Sequence, residues 1–398
     1  MAEKPRILIA GAGVGGLIAA LALLKRGFNV DIYEQTPKIM EVGAGFQISA
    51  NGTRVLYELG LGAKIKEICW EPEGKEIRIW NTGETKKLFD LGAESVERYG
   101  YPYLTFHRAD LQEVLANAVR CEKPDAIHLN SRCSGFDQND SRVRLRLENG
   151  GAVEADALIG ADGVHSAIRQ NLFGDDRPKF AGCMAWRGVI PAERLPPGLI
   201  RPVGTNWIGP GHHVIHYFLR RGELLNFVGI VERDDWKVES WSAQGTHAEC
   251  AADFEGWHET VQIMIRNIAT PFKWALMGRD PLKRWSVGRV SLLGDACHPT
   301  LPFLAQGAVM AIEDGMVLAR CLEAYEDVKV ALNRYQDVRL ERTAKIVIGS
   351  AENTSRFHNQ SLADPIKAEQ YVDKEWLPKR VRERYDWLFN YDAMTVAV

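Results

Sequence analysis

Six residues, Gly11-Ala12-Gly13-Val14-Gly15-Gly16, fix what the N-terminal part of this chain can become. Ahead of them runs Arg6-Ile7-Leu8-Ile9-Ala10, a short apolar stretch that reads as a buried strand. Behind them, residues 17–26 are rich in helix formers, and Gly27 ends that helix. Asn29-Val30-Asp31-Ile32-Tyr33 reads as a second strand, followed at once by Glu34. Strand, glycine turn, helix, strand and acid, in that order, make a dinucleotide-binding unit. Gly11 permits the tight turn, Gly13 lets the main chain approach a pyrophosphate, and Gly16 lets helix and strand pack closely. The helix N-terminus adds free N–H groups and partial positive charge for the phosphates, which also involves Val14 and Gly15. Glu34 stands about twenty residues on, where an acid accepts ribose hydroxyls. A 2′-phosphate would be repelled there, so FAD or NAD fits and NADP does not. Residues 7–24 carry no charge and reach the length of a membrane span, about 18 residues. The glycines clustered at one end, and Lys25-Arg26 leading into a strand, argue against a span or a signal peptide.

With 398 residues the chain has room for two or three domains of about 150 each. A net charge of -3 gives no reason to expect nucleic acid or an anionic membrane as partner. Seven cysteines, none in a CxxC pair, point to a reducing cytoplasm without disulfides or a zinc site.

Beyond Glu34, residues 41–48 mix glycines with apolar residues, a loop whose main chain could lie flat against a planar ring. Residues 51–59 read as a helix. Residues 71–91 alternate and turn at Asn81-Thr82-Gly83, a β-hairpin that departs from βαβ order and opens a second, antiparallel unit. Residues 103–106 form a short strand, and Arg108 precedes a helix over 111–120. An arginine there opposes the helix dipole, so it is free to reach phosphates or flavin. Residues 127–129, 142–147 and 152–154 read as a small meander. Residues 155–163 form a buried strand ending in Asp162-Gly163, where an open α/β sheet places its ligands. Strands are expected over 184–190, 213–219 and 225–231, and a helix over 248–268. A last buried strand ends in Gly294-Asp295, a stiff loop follows, and a helix spans 308–322. Residues 328–398 read as helical, with an aromatic end that docks on the body.

Together, Gly11-x-Gly13-x-x-Gly16 with Glu34, Asp156-x-x-x-Gly160-x-Asp162-Gly163-x-x-Ser166-x-x-Arg169, and Gly294-Asp295-Ala296-x-His298-Pro299 resemble the three signatures of the single-component FAD-dependent aromatic hydroxylases. The resemblance covers nearly the whole chain. It implies an α/β fold in which a Rossmann-like FAD-binding domain (1–70, 100–171 and 276–325) interleaves with an antiparallel-sheet substrate domain (71–99 and 172–275), followed by a helical segment, 326–398. It places FAD on Gly11, Gly13, Val14, Gly15, Gly16, Glu34, Gln35, Gly45, Arg108 and Asp162, the ribityl–pyrophosphate region at Asp295, and the flavin ring near Pro302, Gly307 and Ala308. Residues 298–314 are similar to salicylate hydroxylases, and Pro302 favours these over 3-hydroxybenzoate 6-hydroxylases, which carry Gln there. The 6-hydroxynicotinate 3-monooxygenases share the Pro302 pattern. The implied reaction uses NADH, rather than NADPH, and O2 to hydroxylate a small phenolic acid through a flavin hydroperoxide, salicylate giving catechol and CO2. The implied protein is cytoplasmic, a monomer or a homodimer.

A phenol reacts best as phenolate, yet its pKa near 10 leaves about a thousandth ionised at pH 7. A positioned histidine supplies the missing base. His213 is the candidate, because strand alternation puts Ile215 and Tyr217 on its face and turns His212 and His216 away. The same alternation splits His212-His213-x-x-His216 across two faces, so no metal is expected. His298, in the stiff loop, is read as shaping the flavin site through backbone bonds. Arg187 and Pro302 complete the substrate candidates, Arg187 as partner for a carboxylate. Two rivals remain at this point: a flavin dehydrogenase that transfers no oxygen, and a redox sensor that holds FAD as a structural ligand.

Overall fold

The computed structural model describes residues 4–39, 45–235 and 243–398; of the glycine-rich loop over 41–48, residues 41–44 lie outside them. The strand Arg6–Ala10 sits at the centre of a six-stranded sheet, between Asn29–Tyr33 and Ala157–Gly160, both parallel to it. Val290–Leu292 lies parallel beyond Ala157–Gly160. All three central strands therefore end on the same edge, which brings Gly11, Asp162 and Asp295 together although they lie far apart in sequence. The helix Val14–Leu24 is buried from Val14 to Leu23, because it is covered by a second helix, Gly307–Ala324. That crossing is close: a Cβ on Gly315 would stand 2.8 Å from the Ala19 nitrogen, and one on Gly15 would stand 2.5 Å from the Leu293 side chain.

A second sheet has seven strands, in the order Phe272–Gly278, Lys179–Pro191, Leu224–Glu232, His212–Leu219, Gly204–Gly209, Gly74–Ile79 and Thr85–Asp90. The hairpin over 71–91 joins this sheet. Its pairing with Gly204–Gly209 is parallel, so the sheet is antiparallel except at that one seam.

Two expectations change. Ile127–His128 leaves the meander and pairs in parallel with Asn29–Tyr33, the outcome of a crossover through the helix Arg108–Glu122, and Cys133–Gln138 takes its place. The helix expected over 248–268 is two, His247–Asp253 and Glu259–Asn267. Gly256, at φ +78°, breaks the run, and the His258 side chain caps the second helix by accepting from the Thr260 N–H.

The C-terminal helices are Val328–Phe357, Pro365–Glu375 and Pro378–Phe389, two of them opening on proline, whose missing N–H costs nothing there. Their aromatic end docks as expected: Phe389 packs against Phe89, Tyr99 and Tyr103. Among the described residues no helix is long and apolar enough to cross a membrane.

Candidate functional site

The glycine turn is built to dimensions that only glycine meets. Gly11 has φ +102°, and a Cβ on it would stand 2.4 Å from the Ala161 carbonyl oxygen; one on Gly16 would stand 2.1 Å from the Gly11 oxygen. Gly13 instead faces open space, with no atom within 4 Å of the same point. No side chain caps the helix that starts at Val14, and its first turn carries no acid. A cradle without side chains under an uncapped helix end fits a pyrophosphate. Glu34 reaches this turn, its carboxylate accepting from the Ala12 N–H at 2.8 Å and the Thr36 N–H at 2.9 Å. Gln35 beside it is exposed. Gln112, which motif reading missed, donates to the Ala12 carbonyl and fixes the turn from the other side.

The other cofactor candidates surround this edge or the seam between the sheets. Asp295 is exposed just past Gly294, itself at φ +66°. Asp162 is committed locally: Ser166 donates to it at 2.5 Å and the Ile168 N–H at 3.2 Å, so it organises the start of the helix Ala167–Phe173. Gly307 and Ala308 open the long helix, whose N-cap Gln306 makes no capping bond with its side chain. Gln306 turns inward to Ser49 and Asn51. Gly45 donates to the Asn226 side chain at 2.9 Å, and a Cβ there would collide with it. Arg108 is the first residue of its helix and lies near Arg187, each half-buried.

A cavity of about 50 Å³ lies at the seam. Gln47 comes from the nucleotide-binding side, Lys75, Asn206 and Ile215 from the seven-stranded sheet, and Pro302 to Ala305 from the stiff loop. Phe357, Trp376 and Tyr385 from the C-terminal helices close it. Ile215 and Pro302 are thus where the sequence put them. Tyr217 is buried and bonds Gln47, which also accepts from the Tyr103 hydroxyl at 2.8 Å. Arg187 is elsewhere: its guanidinium stacks over Trp274 at 5.1 Å, outside the cavity wall. The cation that does line the cavity is Lys75, 4.6 Å above the Tyr103 ring, with no acidic partner among the described residues. Burial pushes its ammonium down to about 7. A wider cleft of about 250 Å³ lies on the far side of Leu88 and Tyr385, away from the strand ends and the stiff loop.

His213 is fully buried, its ring against Phe303 and Phe357, two cavity walls. Its Nδ1 lies 2.5 Å from His358 Nε2, and His358 Nδ1 lies 2.8 Å from a Glu232 carboxylate oxygen. His213 Nε2 has no partner. Burial, then the neighbouring His358 and His212, hold His213 well below the ordinary histidine range, so the ring is neutral and able to accept a proton. His212 and His216 do face the other way, His212 towards Phe254 and Trp257, His216 accepting from Trp207 at 3.0 Å. His358 was invisible to motif reading; a histidine at the end of a 30-residue helix carries no local signal.

His298 bonds a side chain and not the backbone: its Nε2 lies 2.6 Å from Asp314. Cys297, His298 and Asp314 lie close enough to share a cation, but the Asp314 carboxylate already takes His298, Arg339 and the Gly294 N–H. Beside it, Glu313 holds Arg339 and Arg342 and accepts from Asn51.

A glycine cradle at a parallel-sheet edge, meeting a cavity under a second sheet, defines a flavoprotein with a substrate domain. Residues 4–350 match the family model described as FAD binding domain. A 3-amino-4-hydroxybenzoate 2-monooxygenase of Streptomyces platensis is 37% identical over 99% of this chain and 98% of that one. A 6-hydroxynicotinate 3-monooxygenase of Pseudomonas fluorescens is 35% identical over 100% of this chain and 97% of that one. A salicylate hydroxylase solved with its substrate superposes with a TM-score of 0.80, covering 99% of this chain and 97% of that one at 24% identity, a likeness that carries the fold and not the substrate. The chain belongs to the FAD-dependent aromatic hydroxylases.

Proposed function

We propose that this flavoprotein hydroxylates an aromatic or heteroaromatic carboxylic acid that already bears a ring hydroxyl, with NADH and O2 as co-substrates. The names of both relatives describe such acids. The observation that carries the reading is His213 Nε2, a neutral, unpartnered ring nitrogen behind the cavity wall. Bound FAD supplies the redox chemistry, taking reducing equivalents from the nicotinamide and delivering oxygen to the ring. Gly11, Gly13 and the Val14 helix end hold its pyrophosphate, Glu34 its ribose, and the turns at Asp295 and Gly307 its ribityl chain and ring. His213 takes the substrate's hydroxyl proton and makes the ring electron-rich; reaching Nε2 requires the Phe303 ring to move aside. Tyr217, Gln47 and Ile215 orient the ring, and the aromatic C-terminal residues exclude water.

Lys75 meets the carboxylate, in place of Arg187. Lys75→Met is expected to raise KM by about 10- to 100-fold, the worth of a hydrogen bond between charged groups, with kcat little changed. The ammonium is the binding form, so wild-type KM climbs as pH rises above about 7, and the variant's KM does not follow. A parallel pH dependence in both proteins, from initial rates at pH 6 to 9, would remove Lys75 from this role.

The test is NADH oxidation, oxygen uptake and product chromatography with salicylate, 3-hydroxybenzoate, 6-hydroxynicotinate and 3-amino-4-hydroxybenzoate in turn. Catechol with CO2 would assign salicylate; gentisate would assign 3-hydroxybenzoate. Hydrogen peroxide alone would mean a different ring acid. No stimulation by any acid favours the dehydrogenase or redox-sensor reading and defeats this one.

A further inference from the structure

The geometry points to a proton path from the base to solvent, His213 to His358 to Glu232, with His358 and Glu232 as positioning residues for His213. The inference rests on His213 being the base. Three observations make the path. The two bonds are 2.5 Å and 2.8 Å and run in series through both nitrogens of His358. One end, His213 Nε2, is buried without a partner, whereas the Glu232 side chain at the other end is 45% exposed. Finally, the main chain clamps the elements together: the Gly211 N–H donates to the His358 carbonyl, and the Glu232 N–H donates to the Gly211 carbonyl.

Donor and acceptor logic then fixes both tautomers. A carboxylate accepts only, so His358 Nδ1 carries its proton toward Glu232. His358 Nε2 is left to accept, so His213 Nδ1 carries the proton between the rings. His213 Nε2 is thereby left bare, the state a general base needs. When the substrate hydroxyl gives its proton to Nε2, the Nδ1 proton of His213 passes to His358 Nε2, and the Nδ1 proton of His358 passes to Glu232. The substrate becomes an anion, Glu232 becomes a neutral acid, and both rings stay neutral with their protons on the opposite nitrogens. Glu232 releases its proton to water, and the reverse passage resets the rings. No step leaves an imidazolium in the apolar interior, which burial would penalise. The other titratable groups near the path are His212, which acts on both rings, and Arg233, which is held by Asp235 and Asp253.

The measurement is proton release, not turnover. Holoenzyme is mixed by stopped flow with each of the four acids above, in weak buffer with a pH-indicator dye. Wild type and Glu232→Asp are expected to release a proton on binding. Glu232→Gln and His358→Gln are expected to release it about a hundredfold more slowly, the lower end of what acid–base groups contribute. His213→Asn is expected to release none. Glu232 is partly exposed and the Gln substitution is of equal size, so that variant tests the path without loss of fold. Wild-type release rates in both Glu232→Gln and His358→Gln, with His213→Asn still silent, would overturn the path and leave the base in place. Release undiminished in His213→Asn, or absent from wild type with all four acids, would overturn both.

Discussion

His213→Asn is expected to lower kcat/KM by about 10²- to 10⁴-fold, the usual contribution of a positioned acid–base group, while the protein stays yellow. The residue lies on the seven-stranded sheet, and none of the glycine-turn bonds passes through it. The pH profile separates a lost base from a damaged pocket. Without a base the enzyme uses substrate that ionises by itself, and a phenol with pKa near 10 gains about tenfold in phenolate per pH unit below that value. The variant's rate should therefore climb steeply with pH. The wild-type rate should be nearly flat across neutrality, because His213 is neutral there throughout. Stability moves the opposite way at acid pH. His213, His216 and His358 are all held below the ordinary histidine range, chiefly by burial. The unfolded chain binds protons at these sites first, so wild type loses stability as pH falls below about 6.5. The variant lacks one of the three groups and should lose less, as thermal denaturation between pH 5 and 7 would register. A variant whose rate stays low and flat with pH would mean that His213 shapes the pocket without taking the proton.

What the chain reveals before folding follows from how local each signal is. The glycine turn, Asp162-Gly163 and Gly294-Asp295 each sit at the end of a short apolar run, so they were legible as strand ends, and parallel pairing then brought them to one edge. His213, Ile215 and Tyr217 were legible because a strand has a period of two. The misplaced pieces are those decided by distant partners. Ile127–His128 looks like any short strand, and only packing against Tyr33, whose ring stacks on His128 at 4.7 Å, commits it to the parallel sheet. Arg187 and Lys75 are both cations on strands of the second sheet. Nothing local says that Trp274 covers one and that the cavity receives the other. Phe357, His358, Trp376 and Tyr385 belong to a segment whose composition is that of any charged helical region, and their part in the site appears only when it docks.

That docking depends on a buried ion network, and Arg339→Met is expected to cost about 3–5 kcal/mol near neutral pH, the usual penalty for leaving a buried charge with one partner fewer. Arg339 is fully buried, 2.7 Å from Asp314 and 2.7 Å from Glu313. It joins the helix Val328–Phe357 to the helix Gly307–Ala324. The same two carboxylates hold both turns assigned to the flavin, Asp314 through His298 and the Gly294 N–H, Glu313 through Asn51 and Gln306. The pH dependence distinguishes charge from packing. In wild type, burial alone would raise the Asp314 carboxyl, but His298 and Arg339 outweigh it and hold the group below its ordinary range. Its stabilisation is therefore present above the unfolded carboxyl value, near 4, and lost as pH falls through the lower folded value. In Arg339→Met burial has less opposition, the folded carboxyl rises, and the variant regains stability by taking up a proton as pH falls. The Tm gap between the two proteins should be widest near pH 7 and narrow toward pH 5. Arg339→Lys, which keeps the charge and loses the two-armed fork, should fall between them. Flavin absorbance per protein should drop with Tm if the network sets the two turns. Full flavin content at a lowered Tm would make it a brace between helices and nothing more.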